Sequence, residues 1–210
     1  KSGTQWEATF TKEELNQAED LQFSVGLVWN ISKDQNTKDI IAFLSGSSDN
    51  FGLEIIKNGK PNNTNAGRMM DFTISKTADT SANADNASKW VSSAPWYSYR
   101  SQLCGVSLPE GLTTIGDGAF LNISSWAGTL TLPSSVTAIG EAAFGNAMSL
   151  TSIIISGTVK TLESFAFTSC QNVKTIQLGS GLTLLPEKVF FDNLALEQIN
   201  WGASRIVSIG

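Results

Sequence analysis

Apolar and polar residues alternate at Val106, Ser107, Leu108 and again at Ile176, Gln177, Leu178, a period of two that suits a short strand. Pro109, Pro133, Gly179 and Gly202 stand where each such run must end and turn. A second apolar stretch follows, as in AIGEAAF (Ala138–Phe144), and then the pattern starts again. The stretch TLTLPSSVTAIGEAAF (Thr129–Phe144) is a loose copy of VSLPEGLTTIGDGAF (Val106–Phe120). Aligned on their phenylalanines, Phe120, Phe144, Phe167 and Phe190 fall 24, 23 and 23 residues apart. Three further columns keep step: Leu108, Leu132, Ile155, Leu178 and Trp201; Val106, Leu130, Ile153, Ile176 and Ile199; Ile115, Ile139, Leu162, Leu185 and Ile209.

A repeat of this length is too small to bury its own apolar side, so its copies must stack and supply one another's core. The pattern therefore predicts a solenoid with one short strand per coil. Its strands form a parallel sheet with about 4.8 Å per rung, and the phenylalanines fill the interior. About five coils are expected, the last incomplete at IVSIG, as in a truncated array or an unusual terminus.

Residues 1–75 carry no copy of the coil. Thr11 followed by Glu14 has the spacing of a capping box and predicts a short helix from about Lys12. Phe23, Val25, Leu27, Trp29 and Ile31 alternate as in a half-buried strand; IIAFL, FGLEII and MMDFTI are three more strand candidates, and KNGK (Lys57–Lys60) supplies an Asn-Gly turn. The expectation is a small, mainly antiparallel β domain (1–75) and a linker or exposed loop (76–90), rich in Ala, Ser, Thr, Asn and Asp. A solenoid over 91–210 completes an α+β, mainly β chain. The first part either caps the open end of the stack or hangs from it.

The coil pattern LxxVxLPxxLxxIGxxAFxxxxxL resembles the BspA-like leucine-rich repeats, found chiefly in exported and surface proteins of bacteria and some protists. The likeness covers roughly Val91–Gly210, and SAPWYSYRS (Ser93–Ser101) resembles the lead-in to their first coil. TVKTLESFAF and LTLLPEKVF depart from it, with Glu163 and Pro186 in place of the Gly of IG. The resemblance implies an extracellular or cell-surface, non-enzymatic module, since relatives are linked to adhesion and to binding matrix proteins.

Composition narrows the chemistry. A net charge of -5 and a pI near 4.7, without a basic cluster, argue against nucleic acid as a partner. No run reaches the 18 or so apolar residues of a membrane-spanning helix. KSGTQWEATF has neither an initiating Met nor an apolar signal core, which suggests a mature or trimmed chain. The absence of His removes the commonest general base and zinc ligand. No GxSxG elbow and no GK[ST] loop appears, and GSSDNFG (Gly46–Gly52) lacks the acidic spacing of a calcium loop and reads as a polar turn. The acids of the repeats (Glu110, Asp117, Glu141, Glu163, Glu187, Asp192, Glu197) fall at variable coil positions and read as solvated surface. No cofactor or metal is expected. Cys104 and Cys170 lie two to three rungs apart, about 10–14 Å, too far for a disulfide, and both are expected as buried free thiols.

The candidate binding surface is the outer side of the stacked strands: Ser107, Thr131, Ile154, Gln177 and Asn200, flanked by Gly105, Thr129, Ser152, Thr175 and Gln198. None is charged, and such a row can hydrogen-bond a protein backbone or a glycan. A second candidate is Trp126, with Trp90, Trp96, Tyr97 and Tyr99 grouped near the junction, where they serve either as binding anchors or as a seal on the first coil. An alternative division of labour makes the coils a rigid spacer and gives binding of carbohydrate or protein to the N-terminal β domain.

Overall fold

The computed structural model describes residues 29–30, 40–47, 50–57, 69, 71–76, 85–203 and 205–210. Three strands open it: β1 (Trp29–Asn30), β2 (Ile40–Ser47) and β3 (Asn50–Lys57), antiparallel in the order β1-β2-β3. IIAFL and FGLEII thus become one hairpin, closed where Ser47 pairs with Asn50 inside the polar GSSDNFG stretch. The Asn-Gly pair expected to make a turn, the helix from Lys12 and most of the first predicted strand lie outside the described residues. A short antiparallel pair, β4 (Ile74–Ser75) with β5 (Val91–Ser92), comes next.

From there each coil contributes a long and a short strand in turn: β6 (Leu103–Ser107) and β7 (Thr114–Ile115), β8 (Gly128–Thr131) and β9 (Ala138–Ile139), β10 (Leu150–Ile154) and β11 (Thr161–Leu162). Then come β12 (Thr175–Gln177) and β13 (Leu184–Leu185), β14 (Gln198–Asn200) and β15 (Ser208–Ile209). The long strands pair in parallel in the order β14-β12-β10-β8, and the short ones form parallel ladders β11-β9-β7 and β13-β15 on another side of the coil. The fold is a mainly β solenoid; among the described residues the helical elements are two 3-10 turns, Ala87–Lys89 and Tyr97–Tyr99.

The predicted phenylalanine file is present. Ring centroids lie 5.3 Å apart from Phe120 to Phe144, 5.2 Å from Phe144 to Phe167 and 6.0 Å from Phe167 to Phe190, all stacked. Trp96, 24 residues before Phe120, holds the same slot one coil earlier and stacks at 6.0 Å, with Phe72 edge-on to it at 5.4 Å. The chain enters and leaves each ring position through tight turns with two left-handed residues. Gly118, Ala142, Phe165 and Lys188 (φ 49 to 61°) precede the file by two residues, and Asn122, Asn146, Ser169 and Asp192 (φ 56 to 63°) follow it by two. Left-handed backbone costs roughly 1–2 kcal/mol for most residues and less for Gly and Asn.

These turns hold because their polar groups are answered by the next coil. The Phe120 amide donates to the Ala143 carbonyl (2.7 Å), Phe144 to Ala166 (2.9 Å) and Phe167 to Val189 (3.0 Å). The Asn146 Nδ2 donates to Asn122 Oδ1 (2.8 Å), both side chains buried. Glu163 keeps the turn that Gly140 makes: each amide donates 2.9 Å back to a carbonyl of the preceding coil, Ile139 and Ile115 respectively. Gly140 has less room, because a Cβ there would come within 2.6 Å of the Asp117 amide nitrogen.

The N-terminal strands cap the stack. β3 pairs in parallel with β6, with Leu53 opposite Val106 and Glu54 opposite Ser107. Leu53, Met69 and Phe72 join the same core as the coils. Ala87 and Trp90 belong to the stretch expected to be exposed, yet both are buried, because residues 85–90 lie against the coils.

Phe144 is fully buried between two rings, whereas Phe190 is only half-buried at the last coil. Phe144→Ala should cost about 3–5 kcal/mol in urea unfolding, and Phe190→Ala clearly less.

Candidate binding face

Each long strand sends one apolar residue of its centre inward: Leu130, Ile153 and Ile176 are fully buried, and Val106 and Ile199 pack on the core at its ends. Pleating then sends the residues on either side outward. Register places Thr129, Ser152, Thr175 and Gln198 in one row, and Thr131, Ile154, Gln177 and Asn200 in the next. Ser107, Thr129, Thr131, Gln177, Gln198 and Asn200 are exposed, and Gly105, Ser152, Ile154 and Thr175 half-buried. Eight of the ten predicted positions of these two columns therefore share one parallel sheet, whereas Gly105 and Ser107 lie on β6, which pairs with β3.

Some of its polar groups are already paired. The Ser152 and Thr175 hydroxyls lie 2.9 Å apart, and Gln198 Nε2 donates to Asn200 Oδ1 at 2.7 Å. Such pairs fix rotamers and lower the entropy lost when a ligand docks. The outward columns carry no charge, but a charged edge borders them. Lys174 and Glu197, next to Thr175 and Gln198, approach to 3.8 Å and are largely exposed, so they add little stability.

The model of the BspA type leucine rich repeat region matches residues 95–210 in six copies. The chain belongs to the BspA-type leucine-rich repeat family. The count of six agrees with Trp96 opening the ring file one coil before Phe120. The leucine-rich repeat protein of T. pallidum is similar in structure, with 19% identity and a TM-score of 0.52 over 85% of this chain and 86% of that one. A leucine rich cell surface protein of Faecalibacterium prausnitzii A2-165 is also similar (23% identity, TM-score 0.48); the match covers 76% of this chain, which spans 37% of that one. Among curated proteins there is no match. The family and its solenoid fold are typically non-enzymatic and compatible with protein-binding or scaffold roles. No helix among the described residues is long and apolar enough to cross a membrane.

Trp126 does not stand on the surface of this BspA-type solenoid. It is 8% exposed, with its ring 6.0 Å from Phe120 and 6.1 Å from Phe144, so it belongs to the core and not to the binding face. Its large apolar ring gains more from that site than from water. Trp90 and Trp96 are likewise buried, and Trp96 Nε1 donates to the Ala119 carbonyl at 2.7 Å. These aromatics seal the first coils.

Beside the short ladder lies a shallow cavity of about 270 Å³ whose walls include Asp71, Asp117, Glu141 and Glu163. Two of these carboxylates serve the fold: Asp117 Oδ1 accepts the Glu141 amide at 2.7 Å, and Glu141 pairs with Lys76. Among the described residues no group of three or more acids or thiols is arranged to hold a metal ion.

The cysteines differ from expectation in one respect: neither forms a disulfide, but only Cys170 is buried. Cys104 is the residue skipped where the β3–β6 register shifts between Leu103 and Gly105, and this irregularity turns it to solvent. Burial pushes the Cys170 thiol up to about 12, with Sγ donating to the Phe144 carbonyl at 3.3 Å. Iodoacetamide at pH 8 should therefore add one label to the native protein, at Cys104, and a second only in denaturant, as read by mass spectrometry. The neutral Cys170 thiol helps stability below the ordinary thiol range, near pH 8.5, and that help fades as pH climbs from there toward about 12.

Proposed function

We propose that this chain is a non-enzymatic, surface-exposed or secreted binding module. Its ligand is an extracellular protein or glycan, held on the outer face of the long-strand sheet. The observation that carries the reading is the face itself: Thr129, Thr131, Gln177, Gln198 and Asn200 are exposed, uncharged and in register on a parallel sheet backed by a close-packed core. Short hydroxyls and amides at a repeat of about 4.8 Å offer donors and acceptors in a fixed order, which suits an extended ligand rich in hydrogen-bonding groups. Function on stacked repeats usually occupies one continuous surface, although fold alone does not fix a partner.

The alternative that gives binding to the first 75 residues alone gains no support from the packing. Leu53, Met69 and Phe72 share the solenoid core, and β3 takes its parallel partner from β6.

Surface plasmon resonance of the whole chain against matrix proteins and glycans tests the reading. Changing Thr131, Gln177 and Asn200 together to Arg should weaken binding at least about tenfold with an unchanged melting temperature, since three bulky cations then stand in the ligand's path. Equal binding by that variant, or none by the wild type, would refute the proposed face. Because the central columns are uncharged, raising salt from about 0.05 to 0.5 M should alter the affinity by no more than about twofold.

A further inference from the structure

Residues 74–76, which include β4, and 85–92, which end on β5, form an arm whose described residues contact the turn edge of four successive coils. Its footing can be followed coil by coil. Ile74 covers Gly118, where an added Cβ would come within 2.9 Å of Ile74 Cγ1. Ala87 and Trp90 are buried in one cluster with Leu121 and Ala142, and Ala87 also packs over Gly145. The Trp90 carbonyl accepts from Asn122 Nδ2 and from the Tyr97 hydroxyl, each at 2.7 Å. In the following coil the Phe165 ring stands edge-on to Trp90 at 5.2 Å, and Lys76 Nζ lies 4.5 Å over Trp90 and 4.7 Å over Phe165 while pairing with Glu141. In the coil after that, Lys188 Nζ reaches Asp85 Oδ2 at 2.9 Å across 103 residues of sequence.

The four residues under this arm, Gly118, Ala142, Phe165 and Lys188, form one left-handed column of the repeat. Glycine is the ordinary occupant of such backbone, and a phenylalanine there carries a conformational cost. Their order is what the arm requires: two small residues beneath Ile74 and Trp90, a ring against the indole edge, and a cation facing Asp85. We infer that the arm is an axial clasp, which spans four coils in order and binds the N-terminal segment and those coils into one cooperatively unfolding unit.

Native-state hydrogen exchange on the whole chain tests this with Asp85→Lys, Lys188→Asp and the double exchange. Each single change should speed exchange about threefold, the size expected of one partly exposed ion pair, and should do so at both ends of the clasp. Those ends are the Trp90 amide in the arm with the Ser93 amide at its root, and the Phe167 and Ser169 amides that donate to Val189 and Phe191. The double exchange should restore both. Faster exchange confined to the arm, or failure of the double variant to recover, overturns the proposal. Phe165→Gly gives an independent reading. Relief of the left-handed strain alone would raise the melting temperature, whereas loss of the Trp90 and Lys76 contacts should lower it; a rise overturns the clasp.

Discussion

Along the axis of the solenoid, stacked rings sit 5.2 to 6.0 Å apart, and the backbone rungs on either side hold that spacing. The two repeats are slightly mismatched: parallel strands want about 4.8 Å per rung, while aromatic rings prefer to be offset when stacked. Sliding each ring over its neighbour reconciles them, with interplanar angles from 3° to 27°. No coil has a core of its own, so burial, strand pairing and turn geometry all depend on the presence of the next coil. At the last described coil the dependence is visible: Trp201 is 43% exposed, whereas its counterparts Leu132, Ile155 and Leu178 are buried.

The turns show how an unfavourable backbone is kept. Two left-handed residues per coil would be a large cost in an isolated peptide. Here the amides and carbonyls around them meet partners in the adjacent coil, and buried asparagines link side chain to side chain. Asn193 Nδ2 at the final coil is buried without a hydrogen-bond partner among the described residues, whereas the Asn122 and Asn146 amides are answered.

The coils were legible because their information is periodic. One apolar column leaves little doubt about which side chains face inward, and four phenylalanines in step predict their own stacking. Trp96 was missed as a member of that file, although its separation of 24 residues from Phe120 was there to be counted. What a one-dimensional period does not encode is contact with a segment outside it. The burial of Trp90 and Ala87 depends on an arm lying across the repeats, and their polar neighbours in the sequence disguised it. Trp126 was misread for a related reason: a tryptophan between two coil strands looks like a surface anchor, yet its ring packs against Phe120 and Phe144. Exposure at Cys104 came from a register shift, which alternation cannot foresee. The candidate face was legible as a set of positions, since its columns follow from the pleat, but its hydroxyl pairing and its Lys174–Glu197 border needed coordinates.

The ion pair between Asp85 and Lys188 also bears on how such a molecule can change over generations. Tandem coils invite gain or loss of whole units, because any coil can sit on any other. A chain that dropped a coil between Phe120 and Phe190 would slide every later coil one rung toward the arm, bringing Asp85 opposite the wrong residue and Trp90 over the wrong floor. Growth and shrinkage of this array are thus confined to its carboxyl side, beyond the last coil the arm touches.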